Sequence, residues 1–310
     1  MTAAQIGVLT TTELQGLSTT QAGALTATQL GSVTTTVLNN LTAAQVTALS
    51  ATQVQGLSAA QIDGLSTTNL NAIDAGDFST AQLSALVDAT LDNLTTTQVA
   101  GLSSTQVGSL STTQLDNLST ANLRAIDAGD FSTGQLSNLA VATLDNLTTT
   151  QVTGLNTAQS QSLSTTQLNA LSVTNLNALD VAEISTTQIG GLDTTTITEL
   201  STTQVAALSA AQVGALSVAG VNSLTTTELG ALTAAQAGAL TSAQVAGLST
   251  TNFSALSSTT GIPALSTTAI GGISTADIAA LTTTQGWAFT ATQVNAMSGA
   301  QLSALVELLT

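Results

Sequence analysis

Two apolar residues recur along this chain at alternating spacings of three and five, and that rhythm limits what it can fold into. Val107 and Leu110, Leu115 and Leu118, and Leu123 and Ile126 are successive pairs. A spacing of three places two side chains on one face of a helix. In a strand the same pair would point to opposite faces. The unit is an octad: Leu, Ser or Thr, two small residues, Gln or Asn, an apolar residue and two variable small or polar residues. Residues 110–117, Leu-Ser-Thr-Thr-Gln-Leu-Asp-Asn, are one copy.

The polar positions agree with the helix. Ser111 followed by Gln114 is a capping box, in which the hydroxyl accepts from the N3 backbone N–H and the Gln reaches back to the cap N–H. Ser18/Gln21, Thr42/Gln45, Ser201/Gln204 and Thr241/Gln244 repeat it in register. A straight α-helix turns about 2.2 times per octad, so the apolar pair would rotate and leave no continuous stripe. The expected solution is a helix of one to two turns, a bend at Leu-Ser/Thr, and another short helix. Such pieces are far too short to be stable alone and must stack. The fold expected is therefore an all-α solenoid built from 8-residue repeats. A β-solenoid, favoured by the many Thr and Val, is the alternative.

The register runs from Ile6 to Ile73 and then skips a step at Asp74-Ala75-Gly76-Asp77-Phe78. The skip recurs at residues 127–131 and, altered, at 180–184, 53 residues apart each time. A duplicated 53-residue block explains the likeness. A phase correction, returning a coil with a non-integral number of octads to register, is the physical role expected of the five-residue piece. Residues 1–256 read as one octad solenoid with these three breaks. Residues 257–310 read as its irregular continuation, where Gly261 and Pro263 suggest a kink or edge. Gly286 stands there at an apolar position beside Trp287 and Phe289, and the end is rich in Leu. Trp287, Phe289, Leu305, Val306, Leu308 and Leu309 are the expected cap or assembly contacts.

Composition excludes much chemistry. Arg124 is the only base, and His, Lys and Cys are absent. A Ser or Thr nucleophile would lack its usual base, there is no phosphate loop, and no enzyme is expected. With a net charge of −16, binding of nucleic acid is not expected either. No apolar run is long enough for a membrane span. The one acidic constellation is Asp74 and Asp77, echoed by Asp127 and Asp130. Calcium takes several carboxylate and carbonyl oxygens, so these four are weak calcium candidates. The preferred reading is that Asp caps a helix or sits in a turn, leaving no cofactor expected. The first residues already stand in octad register, which reads as a slice of a larger protein or an end covered by another copy.

The octads resemble the Leu-Thr-Thr-Thr-Gln-Val-Ala-Gly-Leu tracts of very large bacterial surface and secreted repeat proteins, adhesin-like ones among them. The likeness is one of repeat style and covers nearly the whole chain. It implies structural use at the cell exterior: a stalk, a matrix fibre or filament assembled end to end from copies of the chain, or a surface layer. The alternative is a module that binds polysaccharide or ice through rows of Thr, Ser and Gln.

Overall fold

A computed structural model describes residues 1–310. The chain is all helical, without strands, and falls into two compact units, residues 1–155 and 156–310. Apart from the last, its α-helices have four to six residues.

In the first unit, three octads make one turn of the coil. Helix Ala3–Gly7 packs under Ala27–Gly31, which packs under Ala51–Gln55, which packs under the 3₁₀ helix Ala75–Asp77. Successive starts are 24 residues apart, three sides of eight. The bend between sides lies at the cap residue: Ser111 has φ −70 and ψ 156, extended backbone, and the next residue begins the helix. No residue has positive φ, so the corners need no left-handed glycine. The two apolar rows of the octad point inward. Leu115, Leu123 and Leu136 are fully buried, with Leu110 and Ile126 nearly so.

The side chain that joins one turn to the turn before it is the octad glutamine. Gln114 Oε1 accepts from Ser111 N at 2.9 Å, and Gln114 N donates to Ser111 Oγ at 3.1 Å, closing the capping box. Gln114 Nε2 then donates to Leu83 O at 3.0 Å and Leu86 O at 2.9 Å in the preceding turn. Gln45 does the same to Leu14 O and Leu17 O, and Gln61 to Leu30 O and Val33 O. The amide is thus spent at both ends. Its oxygen completes its own helix cap, and its nitrogen bonds two carbonyls at the end of a helix below: Leu83 O, which also accepts from Leu86 N, and Leu86 O, which has no other backbone donor. These glutamines are buried, where an unpaired polar group would be costly.

Where Asn replaces Gln, the side chain is one methylene short. Asn69 Nδ2 still reaches Leu38 O and Leu41 O, but the return bond to its own cap is missing. The cap N–H of Ser66 is instead taken by Asn39 Oδ1 of the turn below at 2.7 Å. Asn122 and Asp92 repeat the arrangement, with Asp92 Oδ1 accepting from Ser119 N.

The five-residue segments are sides of the coil, not insertions between sides. Ala75–Asp77 lies on Ala51–Gln55 and under Thr96–Ala100; Ala128–Asp130 lies on Ser104–Gly108. Each replaces an α-helical side with one 3₁₀ turn, three residues shorter. The amide bonds record the difference. They span 31 and 28 residues across octads alone, as for Gln114, and 28 and 25 where a short side intervenes, as for Gln98 to Leu70 O and Ile73 O. The expected phase correction is therefore absent. A turn holds a whole number of sides, and the break leaves that number unchanged. Seven sides separate the first two breaks, two turns and one side more, so they lie on different faces of the first unit.

The second unit follows the same plan. Thr186–Gly190, Ala210–Ala215 and Ala234–Gly238 stack in that order, and Ala234–Gly238 contacts the 3₁₀ helix Ile262–Ala264. The segment around Pro263 is thus one more side and not an edge. Ile262 is fully buried, and Gln293 Nε2 donates to Ile262 O and Leu265 O. Pro263 sits in the first turn of the 3₁₀ helix, where a missing N–H costs little. Gly261 is required by crowding: a Cβ there would come within 2.7 Å of Ser257 N. Unit 2 ends in an 11-residue helix, Gly299–Leu309, lying on Thr275–Ala279 and Thr283–Gly286. A Cβ on Gly286 would stand 2.9 Å from methyl carbons of Leu308 and Leu309. The missing apolar side chain of that octad leaves the space these leucines occupy.

Candidate functional site

The acidic residues are held by the coil rather than gathered into a centre. Asp74 Oδ1 accepts from Gly76 N at 2.9 Å and Asp127 Oδ1 from Gly129 N at 2.8 Å, each capping its 3₁₀ helix. Asp180 Oδ1 does the same for Ala182 N. Asp77 and Asp130 stand at the other end of those helices. Partial burial raises the carboxyl pKa of each above the ordinary range, and the neighbouring Asp74 or Asp127 adds repulsion in the same direction. No three acidic groups converge as metal ligands.

The scattered acids also have structural partners. Val87 and Ala140 occupy cap positions but carry no capping side chain. Their backbone N–H groups donate to Asp63 Oδ1 and Asp116 Oδ1 in the turn below, at 3.2 and 3.1 Å. Asp116 also accepts from Thr143 Oγ1 at 2.5 Å. Asp193 caps its own helix, and the Thr196 backbone N–H holds its carboxyl below the ordinary pKa. The Thr10 backbone N–H lowers that of Glu13 likewise.

The expected contact residues separate. Phe289 takes a corner position and is buried, as is Leu305; Leu308 and Leu309 are half-buried over Gly286. Trp287 and Val306 are 71% and 60% exposed. No helix is long and apolar enough to cross a membrane.

Two open clefts occur in the first unit, each at the corner leading into a five-residue side. Asp74 lines one and Asp127 the other, together with Asn71 and Arg124 respectively, which sequence reasoning passed over. The signal was present: a shift of 53 residues sets the chain's only base against Asn71. The buried glutamine amides were likewise read only as caps. Glu closes a capping box as well as Gln does, so the steady choice of Gln already asked for a donor.

The architecture defines a class, the helical repeat proteins. Within it, the family model for the ALTTAQ repeat matches residues 181–218, from the third five-residue side through four helices of the second unit. The matched stretch is similar to that family. No curated protein matches the chain.

Proposed function

We propose that this chain is a non-catalytic structural spacer of the bacterial cell exterior, a stalk element that also associates end to end with its own copies into fibres. The amide ladder carries this reading. Within each unit, successive turns are hydrogen-bonded to one another by buried side chains, so length is added by repetition without closing a globular core. The acids with resolved partners serve caps and turns, which supports a role without catalysis. The absence of cysteine and the surface rich in hydroxyl groups fit an external location. Rows of Thr and Ser are a weaker basis for binding ice or glycans, because cap hydroxyls are engaged within their own helices.

Single-molecule stretching tests the spacer role. Turns of 24 residues should come free in steps of roughly 80 Å of contour length, and one all-or-none rupture of a whole unit would contradict it. Electron microscopy across protein concentrations tests self-association, with monodisperse particles throughout counting against fibres. Antibody labelling of intact producing cells tests location, and a signal seen only after lysis would refute an external site.

A further inference from the structure

The two clefts of the first unit are the same cleft built twice. One has a volume of about 420 Å³ and includes Asn71, Ala72, Asp74, Ala75, Thr95 and Thr97. The other, about 520 Å³, includes Arg124, Ala125, Asp127, Ala128, Thr148 and Thr150. A shift of 53 maps every lining residue of the first onto one of the second. Both volumes are in the range of small-molecule sites.

Each cleft sets alanine methyls beside three polar groups that the fold leaves uncommitted. In the first, Asp74 Oδ1 is tied to Gly76 N, which leaves Oδ2 free. The Thr97 hydroxyl has no partner within the chain, and Asn71 Oδ1 is buried without a donor. In the second, Asp127 Oδ2 and the Thr150 hydroxyl are free in the same way. Arg124 donates through Nε to Asn146 O at 2.7 Å, leaving its Nη groups available.

The chemistry narrows the ligand. A phosphate would meet Asp74 or Asp127 on a chain of net charge −16. A divalent cation would find one carboxylate per cleft and want several oxygens. An extended peptide would find no sheet edge to pair with. A neutral, hydroxyl-rich ligand fits: its hydroxyls donate to the free carboxylate oxygen and accept from threonine, and its C–H faces lie on the alanines. We propose that the clefts are twin subsites for a neutral saccharide, a binding function added to the spacer role and independent of it. With no aromatic platform, each subsite binds in the millimolar range. Two on one chain favour a polymer through effective concentration.

Chemical-shift mapping of the isotope-labelled full chain with cellohexaose, maltohexaose and chitohexaose tests this. At least one hexamer should shift the amides of both clefts together at millimolar concentration. The double variant Thr97→Val and Thr150→Val, which removes only exposed hydroxyls, should weaken that binding tenfold or more with an unchanged melting temperature. Arg124→Asn makes the second cleft match the first and should keep binding within about twofold. Shifts absent from both clefts with all three hexamers would overturn the proposal, as would binding that survives the double variant. Tighter binding of oligogalacturonate than of any neutral hexamer would overturn the neutral assignment.

Discussion

An eight-residue side and a five-residue side occupy equivalent places in the coil but are held by different chemistry. Ser111–Leu118 spends a hydroxyl and an amide on its cap and reaches down through Gln114. Asp74–Phe78 has no glutamine. A carboxylate caps a single 3₁₀ turn, and the side gives carbonyls without sending a donor down. Gln106 of the turn above donates to Ala75 O at 3.1 Å and Phe78 O at 2.8 Å. Leu118, which ends the octad side Ser111–Leu118, is half-buried, whereas the octad corners Leu86 and Leu110 and the short side's Phe78 are buried. The coil therefore requires a corner residue and a pair of carbonyls from every side, and tolerates a change of three residues in its length. The shorter side is also where the surface opens into a cleft.

The corner is the sharpest place to break this equivalence. Phe78 is 2% exposed and Phe131 equally so, while the third short side uses Ile184. Phe78→Ala should cost about 3–5 kcal/mol. Phe78→Ile, following the example of Ile184, should cost less than about 1.5 kcal/mol. Amide hydrogen exchange of residues 70–106 in each variant measures both. If the alanine variant protects as well as the parent, the short side is not held by its corner.

The ladder gives a reciprocal test. Gln114→Glu keeps the acceptor of the capping box but removes two donated bonds and buries a carboxylate against carbonyls. A loss of about 3 kcal/mol is expected at neutral pH. It should shrink as pH falls, because the protonated acid regains one donor. Glu228 is the natural counterpart in the second unit: it closes a capping box with Thr225 but has no N–H to offer below. Glu228→Gln should add about 1 kcal/mol, through bonds to Ile197 O and Leu200 O, the carbonyls 31 and 28 residues earlier. Denaturant unfolding of the two variants decides it. An indifferent Gln114→Glu would reduce the glutamine to a cap.

Much of this architecture is legible in the octad itself. The three-and-five spacing implies short helices, Ser-x-x-Gln marks their starts, and the structure is all-α without the strands of the β alternative. The number of sides per turn is not legible, because each octad looks the same whatever lies below it. That number depends on packing between helices of successive turns, as at Gly56 after Ala51–Gln55, where a Cβ would stand 2.6 Å from Ala27 Cβ of the helix Ala27–Gly31. The role of the break was obscured for the same reason: a missing step of three reads as a phase shift until the turn is known to contain whole sides. Gly261 and Pro263 look like an edge in sequence, yet both fit a 3₁₀ side. Of the candidate site, Asp74 and Asp127 stood out by charge. Asn71 and Arg124 did not, since neither carries a motif; the one trace of them in the sequence is the 53-residue shift that aligns the two.

Asp77 and Asp130 provide the smallest and most specific contrast, because each stands within a short side, at the far end of its 3₁₀ helix. Partial burial and the neighbouring cap carboxylate raise their folded pKa values. An unfolded Asp titrates near about 3.9. A raised folded value means that the folded state binds the proton more tightly than the unfolded chain does. The stability this contributes is fully present below the unfolded pKa and is lost as pH rises through the folded one. Both groups therefore work against the fold at neutral pH. Asp77→Asn should raise the melting temperature slightly at pH 7, with the gain disappearing below about pH 4. Gly76→Ala beside it should change little, since the third short side already has Ala182 there and a Cβ would meet only Asp74 Oδ1, at 3.3 Å. A gain for Asp77→Asn that persists unchanged at low pH would mean that the short side is relieved of bulk or polarity rather than of charge.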